Sequence, residues 1–452
     1  MKIPIPENLT NLAAECAFPL YLVGGSVRDC LAGFPAGKNP DWDICAPAPE
    51  EALIAAAEKL GFTVKSVYRH TGTVKLCDQK GVGYEFTRFR SDKYVRGLHT
   101  PAEIEFTTDL GTDARRRDFC ANAVYYEIKT ETLCDPLDGK RDIERKILRT
   151  VAPAEKVFGE DGLRLMRLAR FAAETGFLPD AECAAGAKRN RALVKDIFPE
   201  RVFAELNALL LADRKHGDPE APYRGLCVLR DTEVLGEILP ELASGNGMKQ
   251  RADFHDYDVL EHTFRCVKYA PPEIRFAALL HDVGKPFCFL RDGNFYRHAE
   301  EGERIAGEIL SRLKAPAKLK AETCALVKLH MRDSDGKMKQ SKVRRELAVH
   351  YPLLEKLFAL RQADYSACKD DLSPAPAVEK WRRILKEMKT EGAPLSQKEL
   401  AVNGKDLLEA GVPPKRVGEA LADCMEYCVQ DGARNEKAGL IARAKKRFTE
   451  EV

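Results

Sequence analysis

The sequence predicts a multidomain α+β protein in which a small head carrying a β-sheet is followed by a long helical body. Two observations lead there. Short β-rich runs alternate with helical patterns up to about residue 150, and from residue 158 onward the pattern is helical almost throughout. A chain of 452 residues, 44% hydrophobic and 31% charged, is long enough for two to four folded units.

In the head, YLVG, DWDICA, TVKLC, VGYEFTRF and NAVYYEI read as strands and PEEALIAAAEKLG as a helix. In the body, Gly and Pro at 176–179, 217–222, 244–247, 271–272 and 373–376 punctuate the helical pattern, and EGAPL (391–395) and GVPP (411–414) do the same in the tail. No internal repeat or low-complexity segment is visible.

No run of about 18 apolar residues occurs, and MKIPIPENLTNL lacks the basic and apolar regions of a signal peptide. The expectation is a cytoplasmic protein with no membrane contact. The 14 cysteines form no CxxC pair and read as free thiols, which excludes zinc fingers. A net charge of +2 gives no global nucleic-acid signal. Two local stretches could track phosphates: Lys188, Arg189, Arg191, Lys195, and Lys437, Arg443, Lys445, Lys446, Arg447. Each also reads as a solvated helix face.

Tyr21-Leu22-Val23 reads as a buried strand, after which Gly24-Gly25-Ser26 turns into a helix near Val27-Arg28-Asp29. Such a turn offers backbone N–H groups to an anion, and Arg28 adds charge. Asp41-Trp42-Asp43 then opens the next strand, where side chains two apart share a face. Two carboxylates held together repel, so the pair is a natural site for Mg²⁺, which takes oxygen ligands and substrate phosphates. Glu85, in Gly83-Tyr84-Glu85-Phe86-Thr87-Arg88, alternates correctly to supply a third carboxylate. This set suits two-metal phosphoryl transfer.

GGSVRD followed by DWD resembles the nucleotidyltransferase head of the polymerase-β superfamily, whose sheet is mixed. Arg116-Arg117-Asp118-Phe119-Cys120-Ala121-Asn122-Ala123, Asp135-Pro136-Leu137-Asp138-Gly139 and Glu160-Asp161-Gly162-Leu163-Arg164 resemble, in order, motifs of the bacterial class II CCA-adding tRNA nucleotidyltransferases. That family usually has Thr-Ile at Cys120-Ala121 and Pro at Gly162, which bears on packing and hinge behaviour. The resemblance implies a head over 1–150, a helical neck over 151–235, an HD phosphohydrolase domain over 236–370 and a tRNA-binding tail over 371–452. It also implies Gly25, Arg28 and Arg117 as nucleotide contacts, and tRNA, CTP and ATP as partners. Oligomeric state is not legible.

Glu160 to Phe177 reads as a helix on which Asp161, Arg164, Arg167 and Arg170 recur every three residues. At about 100° per residue Asp161 and Arg164 are neighbours, while Arg170 lies far round. A carboxylate beside a guanidinium matches the amino group and ring nitrogen that cytosine and adenine share; uracil and guanine reverse that pattern. Asp161 and Arg164 are therefore assigned to the base edge, with Arg167 and Arg170 supporting the site or reaching the triphosphate. A surface helix with ordinary ion pairs is the bland alternative. The polar stretch 91–103 is similar to the family's loop needed for the final A.

Ala277-Ala278-Leu279-Leu280-His281-Asp282-Val283-Gly284-Lys285 resembles the HD phosphohydrolase signature. His262, His281, Asp282 and Asp364 would make one metal's ligand set, and His298 and His330 could complete a second. Imidazole and carboxylate suit Ni, Mn, Co, Fe or Mg. The resemblance implies 2′,3′-cyclic phosphodiesterase, 2′-nucleotidase and phosphatase activities in tRNA 3′-end repair. Two readings compete with CCA addition: a poly(A) polymerase or A-adding enzyme with the same head, and an HD hydrolase whose head binds RNA but is inactive.

Overall fold

The computed structural model describes residues 3–35, 42–94 and 101–449. The head is built on a mixed seven-stranded sheet in the order β3-β4-β5-β2-β1-β8-β9. Its strands are β1 (Tyr21–Val23), β2 (Trp42–Ala46), β3 (Thr63–Tyr68), β4 (Thr73–Cys77), β5 (Gly83–Arg88), β8 (Tyr125–Glu127) and β9 (Thr132–Cys134). β2 and β5 run parallel and the other neighbours antiparallel. The central strands are the apolar runs: Leu22, Val23, Ile44, Cys45 and Ala46 are all buried. β6 (Arg90–Lys93) and β7 (Glu103–Phe106) form a separate antiparallel pair flanking the stretch 95–100, which lies outside the described residues.

β3, β6, β7 and β9 were not expected as strands. β3 is an edge strand with exposed or half-exposed residues, so it lacks the apolar alternation that marks a half-buried strand.

One expected helix is corrected. Glu160–Phe177 is not continuous: one helix spans Ala154–Glu160, Asp161 is extended at φ −147°, ψ 106°, and a second helix runs Leu163–Thr175. Asp161 Oδ1 accepts the Leu163 N–H at 2.9 Å. Short polar side chains satisfy nearby backbone in this way and so favour turns over helix interiors, while Gly162 is a weak helix former. The helix Leu163–Thr175 ends at Gly176 in the left-handed region and packs on helices Pro199–Leu210 and Ala221–Asp231.

The chain divides into two compact units, Met1–Ser244 with Ile309–Ala315, and Gly245–Glu308 with Pro316–Val452. In the second unit, helix Val259–Tyr269 packs on Arg275–Leu280 and Leu354–Lys369, and the tail has its own core of Leu407, Val412, Ala420, Cys424, Cys428, Leu440 and Ala444. All fourteen cysteines are free thiols. Among the described residues no helix is long and apolar enough to cross a membrane.

Candidate active site

The first unit contains a cavity of about 1140 Å³. Strand β1 delivers the turn at one wall: Gly24 has φ +81°, and a Cβ there would lie 3.1 Å from Asp43 Oδ2. Only a glycine lets the turn pass so close to the carboxylate with that backbone angle. Gly24, Gly25, Arg28 and Asp43 all line the cavity. Asp41 lies outside the described residues.

Parallel pairing sets Glu85 beside Asp43 in register, hence on the same sheet face. The Glu85 carboxylate is half-exposed, 3.1 Å from Lys75 Nζ, and does not line the cavity.

A hydrogen-bonded chain explains why motifs far apart in sequence form one site. Buried Arg28 donates from Nη1 to Asn122 Oδ1 (2.7 Å), Asn122 Nδ2 donates to Asp118 Oδ1 (3.1 Å), and Arg167 Nε donates to Asp118 Oδ2 (2.8 Å). Burial alone would raise the Asp118 pKa, but Arg167 and the Asn122 amide hold it well below the usual carboxylate range. Three guanidiniums, of Arg28, Arg167 and Arg170, sit 4.3–5.2 Å from the centre of the Phe171 ring. Asp118, Asn122 and Phe171 were not singled out from sequence; Asp118 and Asn122 stood only as letters within the double-arginine motif, and Phe171 only as a position on the helix read over 160–177.

Arg117 donates to Tyr125 Oη (3.0 Å) and to Asp113 Oδ2 (3.1 Å). Burial works to raise the Asp113 pKa, and the adjoining Arg116 and Arg117 outweigh it, leaving it at about 2. Arg164 is buried and donates to Val157 O, Glu160 Oε2 and Arg116 O, so three of its five N–H donors serve the protein. Its guanidinium lies 5.5 Å from the Tyr94 ring. Asp161, Arg164, Arg167 and Arg170 all line the same cavity, and Arg170, expected far round the helix, is held there by Glu174 and Glu205 at 2.6 Å each. Lys215 adds a cation to the same wall, 3.1 Å from Asp29 and 3.0 Å from Glu174.

Among the described residues, ten Arg and Lys side chains line the cavity against six carboxylates, so positive charge is concentrated there although the whole chain carries only +2. The basic stretches read from sequence are largely neutralised instead. Lys188, Arg189, Arg191 and Lys195 pair with Glu233, Glu155 and Glu237, and Lys437, Arg443 and Arg447 pair with Asp406 and Asp423.

The second unit brings all six residues of the HD set together. His262 Nε2 lies 3.0 Å from Asp364 Oδ1 and 3.2 Å from His281 Nε2. Asp282 divides its oxygens: Oδ2 is 3.5 Å from His262 and 3.3 Å from His281, and Oδ1 is 3.3 Å from His298 and 3.7 Å from His330. His281, His298 and His330 each place Nδ1 2.6–2.8 Å from the carbonyl three residues earlier, the arrangement that leaves Nε2 pointing inward as a ligand. Asp282 Oδ2 faces Lys285 Nζ at 2.6 Å without a hydrogen bond of good geometry. Burial would lift the Asp282 pKa, yet His281 and Lys285 hold it well below the usual range. Two histidine-lined groups sharing one buried carboxylate offer the nitrogen and oxygen donors that a divalent cation takes.

Residues 20–149 match the family model described as the poly(A) polymerase head domain, 176–245 the probable RNA and SrmB-binding site of polymerase A, and 297–444 a putative tRNA nucleotidyltransferase domain 2. The chain is 33% identical to the CCA-adding enzyme of Geobacillus stearothermophilus, over 98% of this chain and 97% of that protein. It is 35% identical to the multifunctional CCA protein of Stenotrophomonas maltophilia over 69% and 75%, and 31% identical to the A-adding tRNA nucleotidyltransferase of Deinococcus radiodurans over 88% and 89%. Among solved structures, the Bacillus stearothermophilus CCA-adding enzyme in complex with CTP is similar with a TM-score of 0.70 at 27% identity, covering 98% of both chains. With these motifs in one cavity and this likeness along the full chain, the protein belongs to the family of CCA-adding tRNA nucleotidyltransferases.

Proposed function

We propose that the protein adds C, C and A stepwise to the 3′ end of tRNA from CTP and ATP, without a nucleic-acid template. The observation that carries this reading is the Arg28–Asn122–Asp118–Arg167 chain, which ties the glycine turn, the double-arginine motif and the helix Leu163–Thr175 into one cavity with Asp43 and Asp161. Relatives named CCA-adding enzymes, and a similar solved structure in complex with CTP, support the choice of substrates.

In this reading Gly25, Arg28 and Arg117 receive the triphosphate, its charge matched by the cationic wall. Asp161 offers its second oxygen to the amino group of C or A. Arg164, held rigid by its three protein acceptors, offers remaining donors to the adjacent ring nitrogen. Arg167 and Arg170 hold the wall in place through Asp118, Glu174 and Glu205. Asp41 and Asp43, with Glu85 as third carboxylate, would hold Mg²⁺, which when bound neutralises the attacking and leaving oxygens of the transfer. The leaving group is pyrophosphate.

The second unit, with His262, His281, Asp282, His298, His330 and Asp364, would hold divalent ions such as Ni, Mn, Co or Fe that supply phosphoester hydrolysis at damaged 3′ ends. Nδ1 bonds to backbone carbonyls orient the imidazoles of His281, His298 and His330, and Lys285, 2.6 Å from Asp282, keeps that carboxylate ionised.

The test is incubation with tRNA lacking its 3′ end, CTP, ATP and Mg²⁺. Products ending in CCA are expected. Products extended by A alone would replace this reading with that of an A-adding enzyme, and no extension would leave a hydrolase with an inactive head.

A further inference from the structure

Beside the six residues of the histidine–aspartate centre lie two more ligand-type side chains, His255 and Cys368. Ligand atoms of His255, His262 and Cys368 all fall within 4.8 Å of one another. The His255 and His262 rings meet edge to face with centroids 4.9 Å apart. His262 is fully buried and differs from the other three histidines in one respect. Their Nδ1 atoms are bonded to backbone carbonyls, whereas its Nδ1 has no hydrogen-bond partner among the described residues. The buried Nδ1 of His255 lacks one too. Since His262 Nε2 is turned toward Asp364 and His281, Nδ1 is the atom left for the other side. A buried imidazole nitrogen without a partner is costly, and a metal-binding histidine ordinarily gives its second nitrogen an acceptor.

We propose that His255, Nδ1 of His262 and Sγ of Cys368 form a third cation position, separate from the two that share Asp282. Two imidazoles and a thiolate are a donor set for a borderline transition-metal ion such as Zn²⁺ or Co²⁺ and a poor one for Mg²⁺. Nitrogen and sulfur ligands at about 2.0–2.3 Å require only a modest narrowing of the group. On binding, the Cys368 thiol releases one proton to solvent, the His262 ring releases its remaining proton only where Nε2 is also metal-bound, and the ion gains three bonds. His262 then bridges this position to that of His281 and Asp364. The site lies outside the transferase reading and shares only His262 with the hydrolase reading.

The test uses the full chain, stripped with a chelator and titrated with Co²⁺, reading the thiolate-to-cobalt charge-transfer band in the near ultraviolet and the bound cobalt per chain. The band is expected in the unaltered protein and absent in Cys368→Ser and His255→Ala, each binding one ion fewer. His298→Ala is expected to keep it. No band at saturation overturns the proposal, as does a band that survives Cys368→Ser, since it then arises from another cysteine. A Cys368-dependent band with full cobalt retention in both His298→Ala and His330→Ala would sink the shared-carboxylate centre and keep this site. Circular dichroism establishes that each variant is folded, and His255→Gln replaces His255→Ala if the latter is not.

Discussion

Asp161 uses one carboxylate oxygen to close a turn on Leu163 N and lines the cavity as well, so in the proposed reading local geometry and base choice rest on one side chain. Asp161→Ala should erase the preference for CTP and ATP over UTP and GTP in single-nucleotide incorporation, a selectivity on the order of 10²-fold or more where a buried hydrogen bond reads the substrate. Unchanged selectivity would remove the base-reading role. Glu174 makes a prediction of another kind. Burial would raise its pKa, but Arg170, Lys215 and Arg28 outweigh burial and bring it from 4.5 to about 2. A folded-state pKa below the unfolded one stabilises above pH 4.5, and that contribution drains away as pH falls toward 2. Glu174→Gln should therefore be less stable than the parent in urea at neutral pH, with the gap closing across that acid window. A gap independent of pH would show that the pairing does not stabilise the fold. None of these partners was legible in the sequence, because Asn122, Glu174 and Lys215 reach Arg28 and its neighbours only through the fold.

At the level of the element, spacing drew attention to Asp161, Arg164, Arg167 and Arg170 but set Arg170 far round the helix, whereas all four line one cavity, and it read through the break at Asp161 and Gly162. Periodicity registers which residues recur; a two-residue interruption barely disturbs it. Gly162 has φ −61°, the angle proline favours, and the family pattern has proline here. In this chain a Cβ at 162 would lie 2.5 Å from the Leu193 carbonyl oxygen, too close for any side chain. Gly162→Pro should therefore destabilise the protein by about 1–3 kcal/mol through overpacking, seen as a lower thermal midpoint. A variant as stable as the parent would mean that the segment at Leu193 yields freely. Strands followed the same logic: buried β1 and β2 were legible as apolar runs, and half-exposed β3 was not.

For the whole molecule, the sheet-bearing head and helical body were legible from the change in period near residue 150, whereas the union of head and neck into one compact unit was not. Local composition also pointed to basic stretches at 188–195 and 437–447 that carboxylates on other segments neutralise, a pairing no local window contains. The two candidate centres lie in different units. His281→Ala should abolish phosphoester hydrolysis while leaving CTP and ATP incorporation within about twofold, and Asp43→Asn should lower incorporation about a thousandfold or more while sparing hydrolysis. Parallel assays on one preparation check both, and joint loss in either variant would contradict two separable centres.

Asp282 gives one oxygen to the His262–His281 side and the other to the His298–His330 side, from a position almost wholly removed from solvent. In the hydrolase proposed above, a cation on one side would neutralise charge that the other side also depends on. The two positions would therefore be linked with opposing sign: the second ion binds more weakly than the first, and half-filled centres persist at low metal.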